Sequence, residues 1–322
     1  MPRSSRRRRA RATVDLRVRI GSVELPNPIV AASGTFGHGD EVANLCDPSL
    51  LGAVTAKSQA AFVWEGNPAP RLSGAPGGML NAVGLQGQGV EHWLAADLPA
   101  LRARGARVIA SVWGHTVEDF ALAAKMLAPA ATELVALEVN VSCPNLHQGE
   151  QMFAHDAGAT AAAVGAVVGA EVGVPVLAKL SPNVTDLVPI VRAAIDAGAD
   201  GLTLVNTVRG LLVDASTRRP ALGAGGGGLS GPAIKPVALR AVHEVARALP
   251  DVPIIGTGGV STGEDAAEML IAGATAVGVG TATFLDPRAC LRILDELVDW
   301  CARHDVSRVA DLTASLTDAP SM

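Results

Sequence analysis

Eight short apolar runs recur along this chain, and most are followed by a helical pattern. The runs cover 28–32, 52–56, 107–112, 135–139, 175–180, 201–205, 253–256 and 276–280. Helical patterns cover 90–104, 117–127, 157–171, 186–197, 232–249, 263–272 and 287–303; the first crossover, near 41–46, is weak. Continuous apolar runs, unlike alternating ones, mark strands buried on both faces, as parallel strands are. Eight of them, interleaved with helices, point to an α/β fold in the form of a closed (β/α)8 (TIM) barrel rather than an open sheet. The 322 residues suit one such barrel with insertions. Nearly half are apolar while aromatics make up 3 %, so small residues must build the core.

Ahead of the first run, VDLRVRIGSVEL (14–25) alternates with period two around Gly-Ser and reads as a hairpin capping the barrel bottom. The barrel is expected over 14–305, between a basic, disordered tail at 1–13 and a C-terminal tail at 306–322. Connections 58–89 and 207–231 are too long for ordinary turns. Both follow strands, so both belong on the C-terminal face, as long loops over a site.

The residues directly after the apolar runs would converge on that face. They are Ser33-Gly34-Thr35, Lys57-Ser58, Asn140 with Ser142 and Cys143, Lys179 leading into Ser181-Pro182-Asn183, Asn206-Thr207, Thr257-Gly258-Gly259 and Gly280-Thr281. Any one of them is an ordinary way to end a strand. Two lysines, two asparagines and a thiol on one rim are harder to dismiss. The glycine turns GTGG (256–259) and GVGT (278–281), with GGLSGPAIKP (227–236), can offer backbone N–H groups to a phosphate, and the last two βα loops are the usual phosphate site of this barrel. A phosphorylated ligand is expected there. Cys143, in NVSCPN (140–145), needs only a modest downward shift to act as a base near neutral pH, and Asn140 and Asn145 could read a flat ring bearing C=O and N–H edges. Cys290 and Cys301, on a helix, read as structural.

Six of the 26 basic residues lie within the first eleven positions, leaving 20 against 31 acids, so the body carries a charge near −11. That argues against a nucleic-acid partner. The Arg run is expected as a disordered tail, with a polyanion-binding arm as the alternative. No apolar stretch follows it as in a secretory signal, and 157–170 is too short to span a bilayer. The four cysteines have no C-x-x-C spacing, so neither a zinc knuckle nor an iron–sulfur loop is encoded. The chain reads as soluble, cytoplasmic and free of bound metal.

SGTFG (33–37), EGNPAPR (65–71), NAVGL (81–85), NVSCPN, KLSPNVTD (179–186), VNT (205–207), GGLSGPAIKP and GTGG, taken in order, resemble the dihydroorotate dehydrogenase family, and most of all its class 1B catalytic subunit. The resemblance implies an FMN-bearing barrel that oxidises dihydroorotate to orotate in pyrimidine synthesis. It implies Cys143 as the base at C5, with the C6 hydride passing to flavin N5. Lys57, Asn81, Ala82, Val83, Gly84, Leu85, Asn140, Asn145, Asn206 and Thr207 would hold the pyrimidine. Ser33, Lys57, Ser58, Asn140, Lys179, Val205, Gly231, Gly258, Gly259, Gly280 and Thr281 would hold FMN, with Lys179 at the N1/C2 carbonyl edge. It further implies a homodimer core of a heterotetramer whose partner subunit carries FAD and a [2Fe-2S] cluster and reduces NAD. GLQGQGVE (84–91) departs from the usual GLQNPGVE and is expected to loosen the substrate lid. A dihydropyrimidine dehydrogenase-like flavoenzyme, a Schiff-base lyase on Lys57 or Lys179, and a non-catalytic flavin-binding protein are the rival readings.

Overall fold

The computed structural model describes residues 14–142 and 152–317. Eight parallel strands close into a barrel in the order β3 (Ile29–Ala31), β4 (Ala53–Thr55), β7 (Val108–Val112), β8 (Leu134–Asn140), β9 (Val176–Leu180), β10 (Gly201–Leu204), β15 (Ile254–Thr257) and β16 (Ala276–Val279), the last pairing back onto β3. Every residue of β3, β4, β7, β9, β10, β15 and β16 is buried, which is why their sequences run apolar without alternation.

Helices wrap the barrel. They are α1 (89–103), α2 (Val117–Leu127), α3 (Ala157–Val168), α4 (Val188–Asp196), α5 (Lys235–Ala248), α6 (Gly263–Ala272), the single turn α7 (Ala282–Leu285) and α8 (Ala289–Arg303). The last shows the rule for all: Ala289, Cys290, Ile293, Leu294, Leu297, Val298 and Cys301 recur at helical spacing and are buried. α2 and α6 each start with a capping box, Thr116 with Asp119 and Thr262 with Asp265. The weak first crossover forms no α-helix; turns and one 3-10 turn, Pro48–Leu50, make it.

The hairpin β1 (Val18–Ile20) and β2 (Val23–Leu25) turns at Gly21, whose φ is +56°. Gly21 sits against Pro175 and Asp200, which precede β9 and β10, so the hairpin closes the N-terminal end. Residues 306–317, expected as a tail, are tied to the barrel. Val309 N–H donates to Asp15 O, Thr313 Oγ1 to Ala274 O and Ala314 N–H to Leu270 O, and Val309 is fully buried.

The two long connections differ from the loops expected of them. They supply β5 (Leu72–Ala75), β6 (Gly78–Asn81), β11 (Val208–Gly210) and β14 (Gly227–Ser230), which form one antiparallel sheet in the order β11-β14-β6-β5. Two insertions distant in sequence thus satisfy one another's backbone groups over the C-terminal mouth. Between β11 and β14, β12 (Val213–Asp214) and β13 (Arg219–Pro220) form a small exposed hairpin.

Candidate active site

A cavity of about 340 Å³ opens at the C-terminal mouth, roofed by the four-stranded sheet. Strand ends supply Ser33, Lys57, Ser58, Asn140, Lys179, Val205, Asn206, Thr207, Gly258, Gly259, Gly280 and Thr281. The first insertion adds Asn81, Val83, Gly84 and Leu85, and the second adds Gly231. Seventeen of the site residues expected from sequence therefore share one wall.

Ala82 does not join them. It is fully buried in a separate cluster with Leu80 and Leu222, behind the roof. The chain is extended here, so neighbours face opposite ways: Asn81 and Val83 look into the cavity and Ala82 looks out. Cys143 and Asn145 lie outside the described residues.

The polar groups form one connected net across the mouth. Asn140 Nδ2 donates to Ser58 Oγ at 2.9 Å, and Ser58 Oγ lies 2.9 Å from Ser111 Oγ. Ser111 Oγ donates to Glu138 Oε1 at 3.1 Å, and Thr203 Oγ1 donates to Glu138 Oε2 at 2.9 Å. Lys179 Nζ stands 3.6 Å from Glu138 Oε1, with both side chains buried. On the other side of Asn140, Oδ1 accepts from Ser142 Oγ at 3.2 Å, and Asn206 Nδ2 donates to Ser142 Oγ at 3.0 Å. Asn183, from the SPN stretch, braces the next turn by donating to Thr207 O and accepting from Arg209 N–H.

The roof is fastened at several points. Asn81 Nδ2 donates to Gly228 O at 3.2 Å. Thr281 Oγ1 donates to Ser230 Oγ at 2.7 Å, joining β14 to the last βα turn. Arg71 donates to Asn67 O, Glu65 O and Gln86 Oε1, gathering EGNPAPR around NAVGL. Gly87, in the stretch that departs from the usual pattern, exchanges both backbone bonds with Trp64 at 2.9 Å each. The backbone there is paired, so the departure does not free it.

Several wall residues escaped the sequence reading: His38, Leu72, Met79, Ser230, Ile234, Val260 and Phe284. Most sit in loops or on the roof, where no periodicity marks a facing side. Glu138 had a visible signal, a charge inside an apolar strand.

Among the described cysteines, Cys46, Cys290 and Cys301 are buried and free. The contact with Cys46, together with burial, pushes the Cys290 thiol well up, and burial pushes Cys301 up to about 11. Such thiols are poor bases at neutral pH. Thr257 Oγ1, on the cavity wall, is buried without a partner. With it stand glycine turns after β15 and β16, apolar faces from Val205, Leu85 and Ile234, and the Lys179 ammonium. This donor set fits a ligand with a flat ring and a phosphate, as FMN is.

Fold and site together define a (β/α)8 barrel with a ligand-sized cavity at its C-terminal mouth, between strand ends and a sheet roof. The family profile described as dihydroorotate dehydrogenase matches residues 15–300. The chain belongs to the dihydroorotate dehydrogenase family. It is 45 % identical over 303 residues to a protein of Alkaliphilus metalliredigens named dihydroorotate dehydrogenase B (NAD(+)), catalytic subunit, spanning 94 % of this chain and 99 % of that one. A Geobacter protein of the same name is 45 % identical over 302 residues, covering 94 % and 98 %. A Solibacter usitatus protein, provisionally named dihydroorotate dehydrogenase A (fumarate), is 48 % identical over 304 residues, covering 94 % and 99 %. No helix among the described residues is long and apolar enough to cross a membrane.

Proposed function

We propose that this protein oxidises dihydroorotate to orotate in pyrimidine synthesis, with FMN and the pyrimidine sharing the cavity at the barrel mouth. The observation that carries this is the gathering of seventeen expected residues on one wall. When bound, FMN would supply an acceptor for the hydride leaving C6. The chain's own residues do the rest. Gly231, Gly258, Gly259, Gly280 and Thr281 would hold the phosphate through backbone N–H groups. Lys179 offers a positive charge to the ring, and Val205 an apolar face. Asn81, Asn140, Asn206 and Thr207 would orient the pyrimidine, with Lys57 between the two ligands.

Cys143 is the base we assign to the C5 proton. Support comes from its neighbour Ser142, fully buried at the end of β8 with its hydroxyl held between Asn140 and Asn206. The three described cysteines are buried off the cavity wall. A Schiff-base role for Lys179 is disfavoured by the carboxylate 3.6 Å away, since an amine nucleophile needs to shed its proton.

For electron exit we favour a partner subunit carrying FAD and a [2Fe-2S] cluster and passing electrons to NAD, on a homodimer core. The relatives named as NAD-linked catalytic subunits support this. The Solibacter relative supports a second reading, in which fumarate is the acceptor. The free, buried thiols of Cys46, Cys290 and Cys301 suit a cytoplasmic location.

Anaerobic mixing of the yellow protein with dihydroorotate tests the reading: the flavin absorbance should bleach, and much faster than with dihydrouracil. Cys143→Ser should keep the colour and slow bleaching at least a hundredfold at neutral pH, in line with the usual weight of a general base. Equal bleaching rates in wild type and variant would refute the assignment of the base. Turnover by the isolated chain with fumarate, or with NAD only after a partner is added, separates the two acceptors.

A further inference from the structure

Glu138 is a charged side chain inside the barrel, 2 % exposed, two residues before Asn140 on the same face of β8. Burying a carboxylate is costly unless it is paired and hydrogen-bonded. Here it is both. It accepts from Ser111 on β7 and Thr203 on β10, and Lys179 on β9 stands 3.6 Å away. Glu138 does not line the cavity, whereas Lys179 does. The ammonium is therefore gripped from below by a group that never meets the ligand.

The carboxylate also sets the sense of the hydroxyl chain above it. A carboxylate can only accept, so the Ser111 proton points at Glu138. Ser111 Oγ must then accept from Ser58, and Ser58 Oγ accepts from Asn140 Nδ2. That leaves Asn140 Oδ1 as the acceptor facing Ser142 and Asn206. A carboxamide at 138 could donate to Ser111 and reverse the chain.

We propose that Glu138 is a positioning residue that holds the Lys179 ammonium at the cavity wall and fixes the polarity of the Ser111–Ser58–Asn140 chain. The inference rests on FMN occupying the cavity. Without that carboxylate nothing offsets the cost of burying the charge, and the ammonium loses the partner that fixes it at the wall. The other titratable side chains lining the cavity among the described residues are Lys57 and His38; neither is a carboxylate, so neither can replace Glu138. With that charge displaced, a ring that gains negative charge on reduction loses one of the cations of the cavity wall.

The test is the midpoint potential of the bound flavin, read by equilibration with a reference dye in Glu138→Gln and wild type. At pH 8.5 the variant's ratio of affinities for reduced and oxidised flavin is expected to fall at least tenfold, a drop of about 30 mV for a two-electron couple. Superimposed curves or a raised potential would each overturn the proposal. If Glu138→Gln does not fold, Glu138→Asp, which draws the carboxylate back by one methylene, is read in the same way. Wild-type protein that takes up no FMN would refute the functional reading itself, and this inference with it.

Discussion

Asp265 holds together the turn on which the proposed phosphate site depends. Its Oδ2 accepts from Ser261 N–H at 2.8 Å and Thr262 N–H at 2.9 Å, completing the capping box of α6. Its Oδ1 accepts from Lys235 Nζ at 2.7 Å, at the start of α5. Gly259 packs directly on Lys235: a Cβ at Gly259 would lie 2.5 Å from Lys235 Cβ. Asp265→Asn keeps the shape but sets an NH2 group against either the two N–H donors or the ammonium. A capping interaction contributes about 1 kcal/mol, and a hydrogen bond to a charged group roughly 1.5–3 kcal/mol. Allowing for the acceptor that Asn retains, the loss at pH 7 is about 2 kcal/mol. At about 2.1 cal/mol/K per residue, 322 residues give an unfolding entropy of roughly 0.7 kcal/mol/K, so Tm should fall by about 3 °C. The sign of the pH dependence follows from the carboxyl. Burial pushes it up, but the Lys235 bond and the N–H groups outweigh burial and hold it below its ordinary 3.8. Its contribution is therefore present above pH 3.8 and fades as the pH drops through the folded-state value. Urea unfolding at pH 7 and at pH 3, followed by tryptophan fluorescence, measures both. A loss under about 0.5 kcal/mol at pH 7, or one that grows on acidification, would refute this account.

Gly231 sits at φ +93°, and a Cβ there would come within 2.8 Å of the Gly78 Cα, which is backbone and cannot swing aside. Gly231→Ala should cost about 2–4 kcal/mol from strain and overpacking and weaken FMN uptake about tenfold, as read by melting and by fluorescence titration of the flavin-free protein. Gly87→Asn works in the opposite direction. Gly87 is not in the left-handed region, and its Cβ would lie 3.0 Å from Gln59 Oε1, a buried acceptor without a partner. The family's usual Asn can bring a donor there, so a gain of about 1 kcal/mol is expected, visible as a small rise in Tm.

Sequence patterning reached the barrel because its strands are buried on both sides, all but Val135 of β8 fully so, and such strands announce themselves as apolar runs. It reached most of the site for the same reason: in this fold the residue after each run falls on one rim. It failed on the roof. β5 alternates exposed and half-buried residues, and β14 reads Gly-Gly-Leu-Ser. Neither carries a strand signal, and both exist through pairing with β6, β5 within the same insertion and β14 from the other. Ala82 was misplaced by the same blindness, since a motif says that a loop touches a ligand and not which of its residues face it. Residues 306–317 looked like a tail because their apolar residues form neither a continuous run nor a helical pattern; Val309 and Leu312 are the buried ones that seat them, with backbone bonds to Asp15 and Leu270.

The roof bears on how the site would choose its substrate. Asn81 is held to Gly228 on β14, and β14 is held to Thr281 on the rim, so the amide above the cavity is fixed relative to Asn140 and Asn206 below. Carboxamides held this way cannot rotate freely to suit a ring with a different set of edges. A ring lacking one matching group leaves a buried amide unpaired, which costs about 1–3 kcal/mol per group, and sites built on hydrogen bonding reject such analogues far better than apolar pockets do. In the proposed function, discrimination between dihydroorotate, whose ring carries a carboxylate, and dihydrouracil, which lacks it, would fall to the rigid frame of Asn81, Asn140 and Asn206 rather than to the base. It follows that loosening the frame should relax the preference while leaving proton removal intact, whereas changing the base should do the reverse.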